Sequence, residues 1–196
     1  MAKQNKVTTT GSLRLIAGKW RGRKLKVLDI EGLRPTSDRI RETVFNWLKP
    51  VIGDANCLDL FAGTGALGFE SASRGARWVD MVELNAKAAL ALQNNCQLLD
   101  ADSCRVIQTT AQQFLINNSK QYDIVFIDPP FQTNLWSEAA QLLVDNDCLA
   151  ENAHIYIEYP RKAELPKLPS QWQLLKDKRA GEVRYCLFSY QSGDAV

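Results

Sequence analysis

Three short constellations in this chain have the residue types to hold a nucleotide-like ligand and to present a second group to it. The first is Gly63-Thr64-Gly65-Ala66-Leu67-Gly68, which follows an apolar run over residues 57–61 interrupted by Asp59. Glycines at this spacing, between a strand and a helix, let backbone N–H groups approach a ligand that side chains would keep away. The spelling G-x-G-x-x-G alone fits NAD enzymes, other nucleotide binders and some ordinary turns. It is not a P-loop, because no Lys-Ser/Thr pair follows. The second is Glu83, twenty residues after Gly63 at the tip of the next apolar run, where a carboxylate can accept both ribose hydroxyls of an adenosine. The third is Asp128-Pro129-Pro130-Phe131, which closes an apolar run over residues 122–127. Its prolines hold the backbone extended and leave carbonyls without a competing local donor. The Asp128 carboxylate and the Pro129 carbonyl can then accept from one NH₂ group, and Phe131 offers a flat face to the base that carries it.

A separate feature lies upstream. Residues 13–17 and 23–28 have β character and flank Gly18-Lys19-Trp20-Arg21-Gly22, so a small hairpin-like arm is expected. It carries Arg14, Lys19, Arg21, Arg23, Lys24 and Lys26 with no acid among them, and Trp20 sits inside the run. Basic side chains that neutralise phosphates, interleaved with an aromatic that stacks a base, make a nucleic-acid surface. Arg34, Arg39 and Arg41 are expected to extend it, unless Glu42 and Asp38 simply pair with them. Residues 1–49 hold twelve Lys/Arg against four acids, a charge of +8, and the remainder holds twelve against eighteen, a charge of −6. Such sign separation points to a polyanion partner for the first quarter of the chain.

These groups need elements to position them. Residues 1–11 are polar and small and read as a disordered tip. Residues 33–38 form a turn into a helix over 39–48, with Thr36, Ser37 or Asp38 as N-cap and Ile40, Val44, Trp47 and Leu48 on its apolar face. Strands are then expected at 57–61, 78–82, 105–109, 122–127 and 155–159. Helices are expected from the glycine turn to 73 and at 86–99, 112–118 and 135–144. This alternation predicts an α/β fold with a mostly parallel sheet covered on both faces. Residues 172–178 and 183–190 flank Arg179-Ala180-Gly181-Glu182 and predict a final antiparallel hairpin, making seven strands. The boundary is drawn between a basic extension, 1–33, and a catalytic domain, 34–196. At 45% hydrophobic and 23% charged, the composition is that of a soluble globular chain. No secretory signal or membrane span is visible. Five scattered cysteines without a C-x-x-C pair read as reduced thiols of a cytoplasmic protein, and a lone histidine, His154, argues against a metal site.

Residues 59–70, Glu83 and Asp128-Pro129-Pro130-Phe131 resemble the signature of class I S-adenosylmethionine-dependent methyltransferases that act on exocyclic amino groups. Ile16-Ala-Gly-Lys-Trp-Arg-Gly-Arg-Lys-Leu25 and Leu33-Arg-Pro-Thr-Ser-Asp-Arg-Ile-Arg-Glu-Thr-Val-Phe-Asn-Trp-Leu48 are more specific. They resemble the bacterial small-subunit (16S) ribosomal RNA guanine-N2 methyltransferases, the RsmD family, and the likeness covers essentially the whole chain. Ala17 stands where that family often has Gly. The resemblance implies a Rossmann-like class I domain that binds S-adenosylmethionine through Asp59, Phe61, Gly63, Thr64, Gly65, Glu83, Leu84, Thr110 and Ala111. Thr110-Ala111 lacks the acidic residue many relatives use against the adenine amine. The implied catalytic group is Asp128, Pro129, Pro130 and Phe131, and the implied RNA surface is Arg14, Lys19, Trp20, Arg21, Arg23, Lys24, Arg34 and Arg39. The expected substrate is ribosomal RNA of the small subunit or its ribonucleoprotein particle, met by a cytoplasmic monomer without a metal.

The competing readings differ in what they leave unexplained. An adenine-N6 methyltransferase of DNA or RNA would use the same Asp-Pro-Pro-Phe site, and only the N-terminal segments argue against it. Protein glutamine methylation is disfavoured because its relatives usually have Asn where Asp128 stands. An NAD-dependent oxidoreductase would use the glycines and Glu83 but leave residues 128–131 and the basic arm idle. A non-catalytic RNA-binding module would leave the cofactor loop without a purpose.

Overall fold

Apolar runs of four to six residues, each followed by a segment at helical spacing, build the central part of the chain. The structure, a computed structural model, describes residues 9–28, 37–131 and 135–193. The expected tip over residues 1–8, and Arg34 with the turn before Ser37, lie outside the described residues. The elements are β1 (Thr9–Arg14), β2 (Lys24–Leu28), α1 (Asp38–Leu48), β3 (Asn56–Asp59), α2 (Ala66–Ser73), β4 (Trp78–Glu83), α3 (Ala86–Leu99), β5 (Cys104–Gln108), α4 (Ala111–Asn117), β6 (Tyr122–Ile127), α5 (Leu135–Asp145), β7 (Leu149–Pro160), β8 (Trp172–Ala180) and β9 (Val183–Tyr190).

Seven strands form one sheet in the order β5-β4-β3-β6-β7-β9-β8, and β1 pairs with β2 in a separate two-stranded hairpin. Strands β3 to β7 are mutually parallel, while β9 lies antiparallel between β7 and β8. The chain winds outward through β4 and β5, then returns past β3 to β6. The carboxyl ends of β3 and β6 therefore flank the switch point where open α/β sheets bind ligands. In that pair Asp59 stands opposite Phe126, two residues before Asp128.

Two apolar clusters cover the faces of the sheet. One joins Val44, Phe45 and Leu48 of α1 to Phe69, Met81, Phe126 and Tyr156, and it also takes in Leu13, Leu15, Trp20 and Leu25 of the N-terminal hairpin. The other packs Trp136, Ala140 and Leu143 of α5 and Phe114 of α4 against Leu58, Val125 and Ile155.

The hairpin departs from expectation at both ends of its first strand. Pairing already starts at Thr9 opposite Leu28, so Thr9 to Gly11 belong to β1 rather than to a loose tip. It stops at Arg14 because Ile16 and Ala17 turn their N–H groups to the buried Glu70 carboxylate, at 2.9 and 3.0 Å. Strand β7 also begins earlier than its apolar core at residue 155. Leu149 pairs with Tyr122, then the register shifts, and Asn152 sits at φ 62° before regular pairing resumes at His154.

Candidate active site

The glycine loop is shaped by contacts that leave no room for side chains. Gly63 and Gly65 have φ of 52° and 78°, the left-handed region that Gly enters without penalty. A Cβ on Gly65 would lie 2.5 Å from Phe69 Cε2, and one on Gly68 would lie 2.6 Å from Met81 Sδ. The first close approach seats the loop on α2 and α3, and the second lets α2 settle onto β4. The Gly68 N–H donates to Asp59 Oδ2 at 2.9 Å, so the last residue of β3 ties down the helix that the loop opens.

Glu83, at the end of β4, reaches over to the loop that follows the neighbouring strand β3. Its Oε2 accepts from the Gly63 N–H at 2.8 Å and its Oε1 from the Asn85 N–H at 2.7 Å. Each carboxylate oxygen has a second lone pair, so this bridge keeps acceptor capacity for hydroxyls of a ligand. Asp59 is 3% exposed, and burial is the main reason its carboxyl rises from 3.8 to about 7; the Gly68 amide opposes the rise and the nearby Glu83 charge adds to it. Phe61 and Thr64 are half-buried beside the loop, and Leu84 is 66% exposed next to Glu83. Thr110 caps α4 by accepting from the Gln113 N–H at 3.0 Å, and Ala111 is buried behind it.

Across the switch point, Asp128 is half-buried, Pro129 buried, and Pro130 and Phe131 exposed. Phe131 is 42% exposed, with its ring centroid 6.5 Å from that of Trp136 at a 41° tilt. Trp136 is fixed in turn by donating to the Glu158 carbonyl at 2.7 Å. Behind Asp128 lie two residues the sequence did not single out. Tyr156 donates its hydroxyl to Glu158 Oε2 at 2.7 Å, and burial first, then the charges of Glu158 and Asp128, push the phenol well above its usual value. The signal that could have found Glu158 is a carboxylate in the middle of an apolar strand, Ile-Tyr-Ile-Glu-Tyr.

The basic side chains divide into two groups. Arg14, Lys19, Arg21, Arg23, Lys24, Lys26 and Arg39 are exposed. Trp20 and Arg41 are not. Trp20 is 7% exposed in the core, with Lys19 Nζ 5.3 Å from its ring centroid, so its indole anchors the hairpin instead of offering a face to a base. Arg41 is fully buried. It donates to the Arg14 carbonyl at 2.9 Å and to Asp38 at 2.6 Å, and it stands 3.7 Å from Glu70. It braces the arm from beneath and adds nothing to the basic surface. Strand β2 adjoins the glycine loop: Lys26, Val27 and Leu28 line a small cavity with Gly63 and Thr64, and Asn95 of α3 donates to the Lys26 carbonyl at 3.2 Å.

Comparisons with known proteins agree over nearly the whole chain. The family model described as "Conserved hypothetical protein 95" matches residues 13–189. The chain is 46% identical to the "Ribosomal RNA small subunit methyltransferase D" of Escherichia coli (strain K12), covering 93% of this chain and 92% of that protein. It is 46% identical to the protein of the same name from Haemophilus influenzae, covering 96% and 99%. Among solved structures, "Putative methyltransferase yhhF from Escherichia coli" superposes with a TM-score of 0.87 at 44% identity, over 93% of this chain and all of that one.

Proposed function

The chain belongs to the family described as Conserved hypothetical protein 95, and on that premise we propose that it methylates the exocyclic N2 of a guanine in small-subunit ribosomal RNA, within the assembled or assembling particle. It is an S-adenosylmethionine-dependent methyltransferase with a class I Rossmann-like fold. The residues fit that cofactor. Gly63 and Gly65 take the left-handed backbone conformation of a nucleotide-binding strand-to-helix turn, and Glu83 holds the loop while keeping lone pairs for ribose hydroxyls. Gly63 and Gly65 would bring the loop to the methionine side, with Phe61 and Thr64 beside them and Asp59 orienting the loop; Glu83 would hold the ribose, with Leu84, Thr110 and Ala111 on the adenine side. The bound cofactor supplies an electrophilic methyl group on a sulfonium.

The remaining work falls to the other side of the switch point. A guanine N2 lone pair is delocalised into its ring, so the amine is a poor nucleophile until it is oriented. Asp128 and the Pro129 carbonyl accept its two N–H bonds, favour pyramidalisation, and aim the lone pair toward the glycine loop. The Asp128 carboxylate also offsets positive charge developing on nitrogen. Holding both partners in register supplies part of the roughly 7–11 kcal/mol available from proximity. Phe131 gives the flipped base a stacking face, since the base must leave its helix to enter. Asp128 needs little basicity, because the methylated amine loses its proton readily.

The observation that carries this reading is the Asp59–Phe126 pairing, which brings the glycine loop and the Asp-Pro-Pro-Phe segment to adjacent strand ends. The exposed basic hairpin beside that loop supplies phosphate contacts that hold the RNA without reading its sequence. No helix among the described residues is long and apolar enough to cross a membrane. The proposed ribosomal RNA substrate places the enzyme in the cytoplasm, acting as a monomer. The test is methylation of small-subunit particles that lack endogenous modification, followed by nucleoside analysis. N2-methylguanine is expected; N6-methyladenine would replace this reading with an adenine-N6 enzyme.

A further inference from the structure

Charge along this chain falls into three blocks. Between the basic first quarter and the C-terminus, residues 50–160 hold five Lys/Arg and fourteen Asp/Glu, whereas residues 161–184 hold seven and three. That second basic block folds as the connection after β7 and the β8–β9 hairpin. The strand register fixes which end of the sheet it occupies. Ile127, the residue before Asp128, pairs with Ile157; β7 then continues three residues to Pro160, which pairs with Val183 beside the Gly181 turn. At about 3.3 Å per residue and about 4.8 Å per strand, the turn stands roughly 10 Å beyond the level of Asp128 and roughly 10–14 Å to its side. It therefore flanks the acceptor half of the site, on the side away from the glycine loop.

Its charges are arranged at a cost to stability. Arg179 and Arg184 stand directly opposite one another in the β8–β9 register, a like-charge pairing that destabilises an antiparallel sheet. Arg184 is neutralised by two bonds to Asp177, at 3.0 and 2.6 Å. Arg179 is exposed and makes no ion pair among the described residues. On the other face of β8, Lys178 holds its Nζ 5.8 Å from the Trp47 ring centroid, and Trp47 stacks on Tyr185 at 5.5 Å. Edge strands carry lysines that discourage unwanted pairing, which accounts for charge on β8 itself. It does not account for Arg161, off the strand, whose N–H donates to the Glu182 carbonyl at 2.7 Å and whose Nη1 donates to the Gly181 carbonyl at 3.4 Å. The acid at the tip, Glu182, is offset by Lys162 at 3.9 Å.

We propose that the β8–β9 turn is a second ribosomal-RNA contact, in which Arg161, Lys176, Lys178 and Arg179 hold phosphates on the acceptor side of the flipped base. This rests on the RNA-methyltransferase reading above. Helix α1 links the two basic surfaces: its Arg41 supports the N-terminal hairpin at the Arg14 carbonyl, and its Trp47 backs Lys178. RNA held at both ends would span the site between them.

The test uses the full chain with Lys176→Ala, Lys178→Ala and Arg179→Ala combined, and measures binding to unmodified small-subunit particles across a salt series. The log–log salt slope should fall by about 2, at about 0.7 per lost phosphate contact, with affinity at least about 10-fold weaker in moderate salt. Cofactor affinity and melting temperature should match the parent. An unchanged slope with an intact fold overturns the proposal. Should the triple variant melt early, Arg179→Ala alone serves, because removing one of two facing arginines keeps or raises the melting temperature while still lowering the slope. A photoreactive side chain in place of Glu182, at the tip of the turn, should crosslink to ribosomal RNA; crosslinks to ribosomal proteins alone overturn the proposal. A parent protein that fails to methylate the particles would instead sink the underlying functional reading.

Discussion

Asp59 ends β3 and Asp128 follows directly on the neighbouring β6, yet their surroundings set them to different tasks. Asp59 is buried, takes the Gly68 N–H at 2.9 Å, and has its carboxyl raised from 3.8 to about 7, by burial above all. A folded-state value above the unfolded one means that the folded chain binds the extra proton between about pH 4 and pH 7. The associated stability is fully present below about pH 4 and is lost as pH rises through about 7. Asp59→Asn keeps an oxygen for Gly68 and removes the titration. The stability of this variant relative to the parent should therefore rise between pH 5 and pH 8, as read from paired thermal melts; parallel pH profiles would show that Asp59 does not titrate in this range. Asp128 is half-buried at the opening, where a carboxylate can meet an amine. Asp128→Ala should lower kcat at least about 100-fold, the scale set by losing one preorganised electrostatic partner, while calorimetric cofactor affinity stays within about 2-fold. Lost cofactor affinity, or undiminished turnover, would remove Asp128 from the acceptor role.

At the scale of elements, the N-terminal hairpin is fastened to the domain through Glu70, the fifth residue of the helix opened by the glycine loop. One buried carboxylate accepts from the Ile16 and Ala17 amides and from Arg74 Nε at 2.7 Å, with Arg41 at 3.7 Å. Glu70→Gln keeps the shape but removes the charge that two arginines face, and breaking a buried ion pair costs about 3–5 kcal/mol. Urea unfolding should report that loss, and the Ile16 and Ala17 amides should exchange faster with solvent. Protection equal to the parent's would show that apolar packing alone seats the hairpin. This network also marks the limit of what local sequence reveals. Helix α3 and strand β6 were legible to the residue because their apolar spacing and flanking turns agree. The N-cap of α1 was narrowed to three residues, of which Ser37 serves by accepting from the Ile40 N–H at 3.4 Å. The placement of the glycine loop, Glu83 and residues 128–131 at strand ends was legible because each closes or follows a readable apolar run. Arg41 and Trp20 were misread as surface groups because their burial depends on partners distant in sequence, Glu70 for Arg41 and Ser73 for Trp20, each more than 25 residues away. Nothing local distinguishes an arginine facing solvent from one facing a buried glutamate.

For the whole molecule, part of the charge separation along the sequence becomes a division in space among the described residues. An acidic α/β body carries its basic hairpin against the cofactor loop, where strand β2 lines a cavity with Gly63 and Thr64. A polyanion is therefore attracted to the hairpin, and to the basic β8–β9 turn on the other side of the site, while the acidic stretch over residues 50–160 repels it, which favours encounters oriented toward the site. The hairpin itself is apolar beneath and basic above: Leu13, Leu15, Trp20 and Leu25 are buried, while Arg21, Arg23 and Lys24 are exposed. Replacing those three exposed side chains by Ala removes charge without touching the core, so the melting temperature should stay near that of the parent. Binding to small-subunit particles should weaken, and its log–log salt slope should fall by about 2 to 3, at about 0.7–0.9 per phosphate contact. The loss should appear mainly as a higher KM that low salt partly restores, because phosphate contacts position the RNA and the pocket reads the base. A salt slope equal to the parent's would make the hairpin a solvated charged surface. A fall in kcat without a change in slope would mean that the hairpin acts through the glycine loop it adjoins, and not through RNA phosphates.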